Sequence, residues 1–240
     1  MPPDPPLPHR RSVRLKGHDY ASPGAYFITL YVRGGLCVLG DVDEGAFRPS
    51  VPGEAVEAAW ARLPTQFHGV RIGPHVVMPN HVHGIVTLTG FTGREREGDA
   101  LEGEPDRPEP DVVPGIGGPL AGRILDHSRS CPLLGEVVRV LKATATQAIR
   151  RHDRPDFAWL RNYYEHIIRN DDSYQRIGRY IRENPSSWHN DMHHPGLADD
   201  ALTAACRSLS QRYGFPVDQA DRMLAYALEC RRAVAGAMPC

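Results

Sequence analysis

The stretch HVVMPNHVHGIVTL, His75 to Leu88, decides how the chain is read. Two runs rich in β-branched residues flank Pro79-Asn80, a pair that bends the chain, so the pattern predicts strand, turn, strand. Side chains along a strand alternate between faces, so His81 and His83 point one way and Val82 the other. Two imidazoles on one face can hold a single metal ion, because neutral imidazole nitrogen is a good divalent-metal ligand. Two polar positions on a half-exposed sheet would give the same spacing, and the rest of the chain has to choose between these readings.

Working outward, GVRIGPHVVM forms the strand before the turn, and AYFITLYV (Ala25–Val32), aromatic and β-branched, predicts a buried strand. Gly34-Gly35 is expected to be a hairpin turn into a second strand, LCVLGDV. Residues Gly53–Leu63 place Val56, Ala59, Trp60 and Leu63 at helical spacing, and LLGEVVRVLKATATQAIRR carries a stripe of Leu133, Leu134, Val137, Val138 and Leu141. A further helix starts near Asp171-Asp172-Ser173 and stops at Asn184-Pro185, and residues 199–235 read as two or more amphipathic helices. Hairpin strands mixed with separate helices predict an α+β fold, with helices packed on an antiparallel sheet. Residues 1–12 are expected to be a flexible arm and 13–190 a catalytic domain. That domain is interrupted by a flexible acidic insertion at about 91–130, and residues 191–240 are expected to be a C-terminal helical extension.

Composition narrows the class. No apolar run approaches the roughly 20 residues that cross a bilayer, and the proline-rich start MPPDPPLPHRR is not that of a signal peptide. Cys37, Cys131, Cys206, Cys230 and Cys240 are scattered, which suits a reduced cytoplasm and argues against a thiolate zinc site or a disulfide framework. The net charge of −1 hides a segregation: residues 93–112 carry −5, and residues 113–190 carry +4. Locally basic segments such as RRSVRLK suit contacts to phosphate, although a solvated face has the same composition.

On a helical wheel, Tyr174, Ile177 and Ile181 of the 173–184 helix fall in the core arc. Tyr180 and Asn184 sit together at its border, one turn apart, opposite Arg176, Arg179 and Glu183. Tyr180 there is either an interfacial tyrosine with a wet hydroxyl or a nucleophile toward a phosphodiester. A phenol with a pKa near 10 is a weak nucleophile at neutral pH. It needs a partner group or a cation that withdraws charge from the phosphate.

YFITL, MPNHVHGIV, YYEHIIR and YIRENPSSW, in that order, resemble the REP-associated tyrosine transposases, a branch of the single-tyrosine, His-hydrophobic-His insertion-sequence transposases. The resemblance spans roughly residues 11–188 and implies a ferredoxin-like antiparallel sheet with packed helices. It implies Mg²⁺ or Mn²⁺ held by His81, His83 and Asn184, and Tyr180 as nucleophile. The reaction implied is nicking of single-stranded DNA beside a hairpin through a 5′-phosphotyrosine link, followed by strand transfer from the free 3′-hydroxyl. Arg11, Arg14, Lys16, Arg176 and Arg179, with Arg182, are the expected phosphate contacts. Glu165 and His166 are expected to be structural, and Tyr163 and Tyr164 are the runner-up nucleophiles. Three departures stand out: the acidic insertion, the helices past Leu197, and Asn at 184 where mobile relatives typically carry Gln. The last points to a host-retained cytoplasmic protein acting on chromosomal repeats, a monomer rather than a dimer. A hairpin-binding regulator that does not cleave and a phosphodiesterase that uses only the histidines are the competing readings.

Overall fold

The computed structural model describes residues 22–89, 132–152 and 154–235. The N-terminal arm and the 91–130 insertion lie outside the described residues, as do Arg11, Arg14 and Lys16. In chain order the elements are β1 (Gly24–Tyr31), β2 (Gly40–Asp43), β3 (Ala46–Pro49), α1 (Val51–Ala61), α2 (Leu63–Gln66), β4 (Val70–Met78) and β5 (His81–Leu88). Then follow α3 (Leu134–His152), β6 (Tyr164–Ile168), α4 (Asp171–Glu183), α5 (Asp199–Tyr213) and α6 (Val217–Ala235). With the small β2–β3 ribbon set aside, the strands form one antiparallel sheet in the order β4-β5-β1-β6. The succession β1-α1-β4-β5-α3-β6 in that order is the ferredoxin-like arrangement.

The sheet separates two cores. Ile28, Leu30, Val82 and Val86 face α1 and α3, where Val137, Val138, Leu141, Ala145 and Ile149 recur at helical spacing and are all buried. Phe27, Tyr31 and Ile85, on the alternate positions, face α4, α5 and α6. The C-terminal helices thus share a core with the sheet itself, through Leu209, Tyr213, Met223 and Tyr226.

The β4–β5 turn is as tight as expected: Met78 pairs with His81, leaving Pro79-Asn80 as the two loop residues. Pro74, which has no N–H to give a ladder, sits at the irregularity between Ile72 and His75 on the edge strand β4. Gly34-Gly35 is not a hairpin turn. Residues Arg33–Gly35 form a 3₁₀ turn with both glycines at positive φ, 77° and 65°. The reason is that β1 already has β5 on one side and β6 on the other, so residues 40–43 pair with β3 instead. YYEHIIR, with no clear period in sequence, supplies the edge strand β6. The start of α4 is capped one residue earlier than the acidic pair, by Asn170, whose side chain accepts from Ser173 N–H at 2.9 Å.

Candidate active site

Each ring of the His-Val-His pair is oriented by a neighbour on the sheet. His81 Nδ1 lies 2.9 Å from Asn80 Oδ1. The Asn80 amide nitrogen donates to the His193 carbonyl at 2.9 Å, which identifies its oxygen as the acceptor from His81 Nδ1–H. Asn80 therefore does two jobs in the turn: it ties the 193 segment to the sheet, and it leaves His81 Nε2 with a free lone pair. That Nε2 is buried and has no hydrogen-bond partner among the described residues. His83 is paired in register with Thr29 on β1, and its Nδ1 lies 2.9 Å from Thr29 Oγ1. Its other nitrogen, Nε2, lies 3.0 Å from the Tyr180 hydroxyl. Burial lowers the pKa of both histidines well below the ordinary value, with a neighbouring histidine ring adding to it, so both are neutral and able to ligate.

The tyrosine helix delivers its side of the site from the opposite layer. Tyr180 is 4% exposed, not at a wet border as the wheel suggests, because Tyr213 at the end of α5 and Phe215 just after it pack edge-on against its ring. The wheel treats the helix in isolation and omits that second cover. Burial pushes the phenol well above 10, and the charge of Asp191 adds to the shift. Asn184 caps the C-terminus of α4 and is buried, with its amide nitrogen donating to Asp191 Oδ2 at 2.9 Å. Its oxygen, Oδ1, has no partner among the described residues.

Asp191 was not found by sequence reasoning. A 3₁₀ segment, Pro185–Asn190, folds the chain back under the sheet, and Asp191 follows it with Oδ1 accepting from His193 N–H. Ligand atoms of His81, His83 and Asp191 lie within 4.8 Å of one another, all from buried residues. Two imidazoles, a carboxylate and an adjacent amide oxygen make a mixed nitrogen and oxygen donor set. The orphaned His81 Nε2 and Asn184 Oδ1 are the kind of buried polar atoms that a cation would satisfy. The residues present therefore fit a metal ion. The histidines and Tyr180 of one chain meet without help from a second. A hollow of about 290 Å³ opens beside them, lined by Tyr180, Asn184, Asp191, Met192, Leu209 and Arg212 among others.

The remaining candidates fall elsewhere. Arg179 donates to the Arg212 carbonyl and lies over the Tyr213 ring, and Arg176 donates to Ser173 Oγ, so both also brace α4. Arg182 lies in the last turn of the same helix. Tyr164 is buried against Phe27 and Tyr226 rather than beside the histidine pair. Tyr163 packs on the α1/α3 core. Glu165 and His166 sit on the edge strand β6.

Fold and site together define a ferredoxin-like protein with a histidine-paired central strand facing a tyrosine helix. No family model matches the chain. An uncharacterized protein of Haemophilus influenzae (strain ATCC 51907 / DSM 11121 / KW20 / Rd) is 34% identical over 184 residues, 77% of this chain and 92% of that protein, and the chain belongs to its family. Among solved structures, the chain is similar to a REP-associated tyrosine transposase bound to a REP hairpin, with a TM-score of 0.43 and 18% identity over 85% of this chain and 90% of that one. It is also similar to a candidate transposase from Deinococcus radiodurans R1, with a TM-score of 0.35 and 15% identity over 70% of this chain and 96% of that one. Both are distant likenesses, and the ferredoxin-like assignment rests on the strand order.

Proposed function

We propose that the chain is a metal-dependent enzyme that nicks single-stranded DNA at hairpin-bearing repeats and transfers the strand through Tyr180. The observation that carries the reading is the 3.0 Å approach of the Tyr180 hydroxyl to His83 Nε2, inside a buried group of His81, His83 and Asp191. In the reaction, Tyr180 Oη bonds to the phosphorus and the bond to the 3′-oxygen breaks. The phenol proton passes to that oxygen directly or through solvent, leaving a 5′-phosphotyrosine and a 3′-hydroxyl. Attack by a 3′-hydroxyl reverses the exchange, so one ester replaces another and no external energy source is needed.

His81 and His83, with Asp191 and the amide oxygen of Asn184, would hold the ion. This donor set suits Mn²⁺, and Mg²⁺ less well because of the two imidazoles. When bound, such an ion neutralises charge on the phosphoryl oxygens and opposes the charge of Asp191 that holds the phenol protonated. As a ligand, His83 would use Nε2, the ring nitrogen that lies 3.0 Å from the Tyr180 hydroxyl, which would set the phenol beside the ion. Arg176 and Arg179, together with Arg11, Arg14 and Lys16, would grip backbone phosphates, and the protein would work as a cytoplasmic monomer on chromosomal DNA.

A second reading has its own observation. Tyr180 is 4% exposed under Tyr213 and Phe215, as in a protein that binds hairpins without cutting them. Incubation with an end-labelled hairpin oligonucleotide and Mn²⁺ separates the two. A denaturation-resistant protein–DNA adduct that is absent from Tyr180→Phe supports the enzyme. Tight binding with no adduct supports the binder, and free cleavage products with no adduct would replace both with a histidine-centred phosphodiesterase.

A further inference from the structure

Away from Tyr180, a second hollow of about 370 Å³ lies between β6 and the first turns of α4 and α6. Asn170 and Ser173 come from the start of α4, and Pro216, Asp218 and Gln219 from the start of α6. Two helix N-termini therefore border the same space, each with the positive end of its dipole toward it. Arg169 and Arg222 line it as well, with His166 between them, and Arg176 adjoins it through its bond to Ser173. Against these stand Glu165 and Asp218, and Asp218 is held by Arg222 in a 2.9 Å ion pair.

Arg169, Arg222 and Gln219 bring donors to this hollow, and Glu165 and Asp218 bring acceptors. A guanidinium can only donate, so the 3.3 Å contact from Arg222 makes His166 Nδ1 the acceptor and puts the ring proton on Nε2. Gln219 is 2% exposed, and its amide Nε2 has no acceptor among the described residues. A ligand rich in acceptors suits such an unmatched donor. Burial first, and then the charge of Arg222, pull the His166 pKa down to about 4, with Asp218 opposing them and Arg169 and Arg176 adding smaller contributions. The imidazole thus lies within reach of the charges that border the hollow.

From these residues we propose that the hollow is a phosphate-binding site, filled by a phosphodiester of a nucleic-acid strand or by a free phosphate. It stands apart from the Tyr180 chemistry. The two are nonetheless on one helix: Ser173 and Tyr180 are seven residues apart, about 10 Å along the axis of α4 at ~1.5 Å per residue.

The test reads His166 by NMR. Inorganic phosphate should shift its ring resonance saturably and raise its pKa, because the anion offsets the surrounding guanidiniums. A single-stranded oligonucleotide should do the same at far lower concentration if the backbone is the ligand, whereas a response to phosphate alone identifies a small anion. Arg169→Glu, at an exposed position, should weaken the response about tenfold. Arg222→Gln should reduce the salt slope of oligonucleotide binding by about one. No saturable shift with either probe, or an unchanged response in Arg169→Glu, would overturn the proposal. Adduct formation through Tyr180 is scored separately, so the loss of one reading leaves the other standing.

Discussion

The two faces of the sheet are made by the same strands and do opposite things. On β5, Val82 and Val86 point into a core closed by α1 and α3, while His81 and His83 point into a polar pocket roofed by α4 and the C-terminal helices. One face gains stability from apolar burial. The other buries imidazoles, a carboxylate and a phenol, which is favourable only as far as each finds a partner. Thr29, Asn80 and Asn184 supply those partners, so on the site side a hydrogen-bonded polar group is set into a second apolar core.

The largest expected effect breaks the packed face. Leu141→Ala in α3, a fully buried position, should destabilise the fold by about 2–5 kcal/mol, read as a lower midpoint in urea, without changing metal affinity. His81→Gln on the other face keeps a donor for Asn80 and should cost less, under about 1.5 kcal/mol. Equal losses from the two variants would mean that His81 is held by packing as much as Leu141 is. Next in size is the metal itself. Mn²⁺ at a hundred times its dissociation constant should stabilise the native protein by about 2.7 kcal/mol, seen as a rise in Tm that a chelator removes. His81→Gln and Asp191→Asn should lose most of that rise, and an undiminished rise in Asp191→Asn would remove the carboxylate from the ligand set.

Legibility followed the same division. The strands on either side of Pro79-Asn80, the strand Ala25–Val32 and the stripe of α3 were readable because burial imposes a period of 2 or 3.6 on them. The histidine pair and Tyr180 were readable as motif residues, and the structure brings the Tyr180 hydroxyl to 3.0 Å from His83. Asp191 was not, since it follows an irregular 3₁₀ segment and its role comes from contact with a strand about a hundred positions earlier. The second job of Asn80 was hidden for the same reason, because its partner is the His193 carbonyl. The burial of Tyr180 depended on Tyr213 and Phe215, in a C-terminal region that no motif covers.

A smaller effect lies at the junction of the two faces. Gly84 ends the HVHG run, and a Cβ there would run into the indole ring of the fully buried Trp60 while standing 3.0 Å from His75 Cβ. Gly84→Ala should therefore cost about 1–3 kcal/mol by overpacking. It should leave His81 and His83 in place, because the strain falls on the α1 side. A variant as stable as the native chain would show that Trp60 can swing away.

The smallest effect is in acid. A histidine ordinarily titrates near 6.5, and in the folded chain His166 is held at about 4, by burial first and then by Arg222. Between those values the unfolded chain takes up a proton that the folded one refuses, so stability is retained above about 6.5 and falls as pH drops toward 4. His81 and His83, lowered for the same primary reason, add slope of the same sign. His166→Gln removes one contributor, so its urea midpoint should decline less steeply between pH 7 and 5 than that of the native protein. Arg222→Gln should let the pKa of His166 rise and flatten the curve in the same direction. If both variants follow the native curve, the acid sensitivity belongs to the other histidines that burial lowers, His81, His83 and His193 among them.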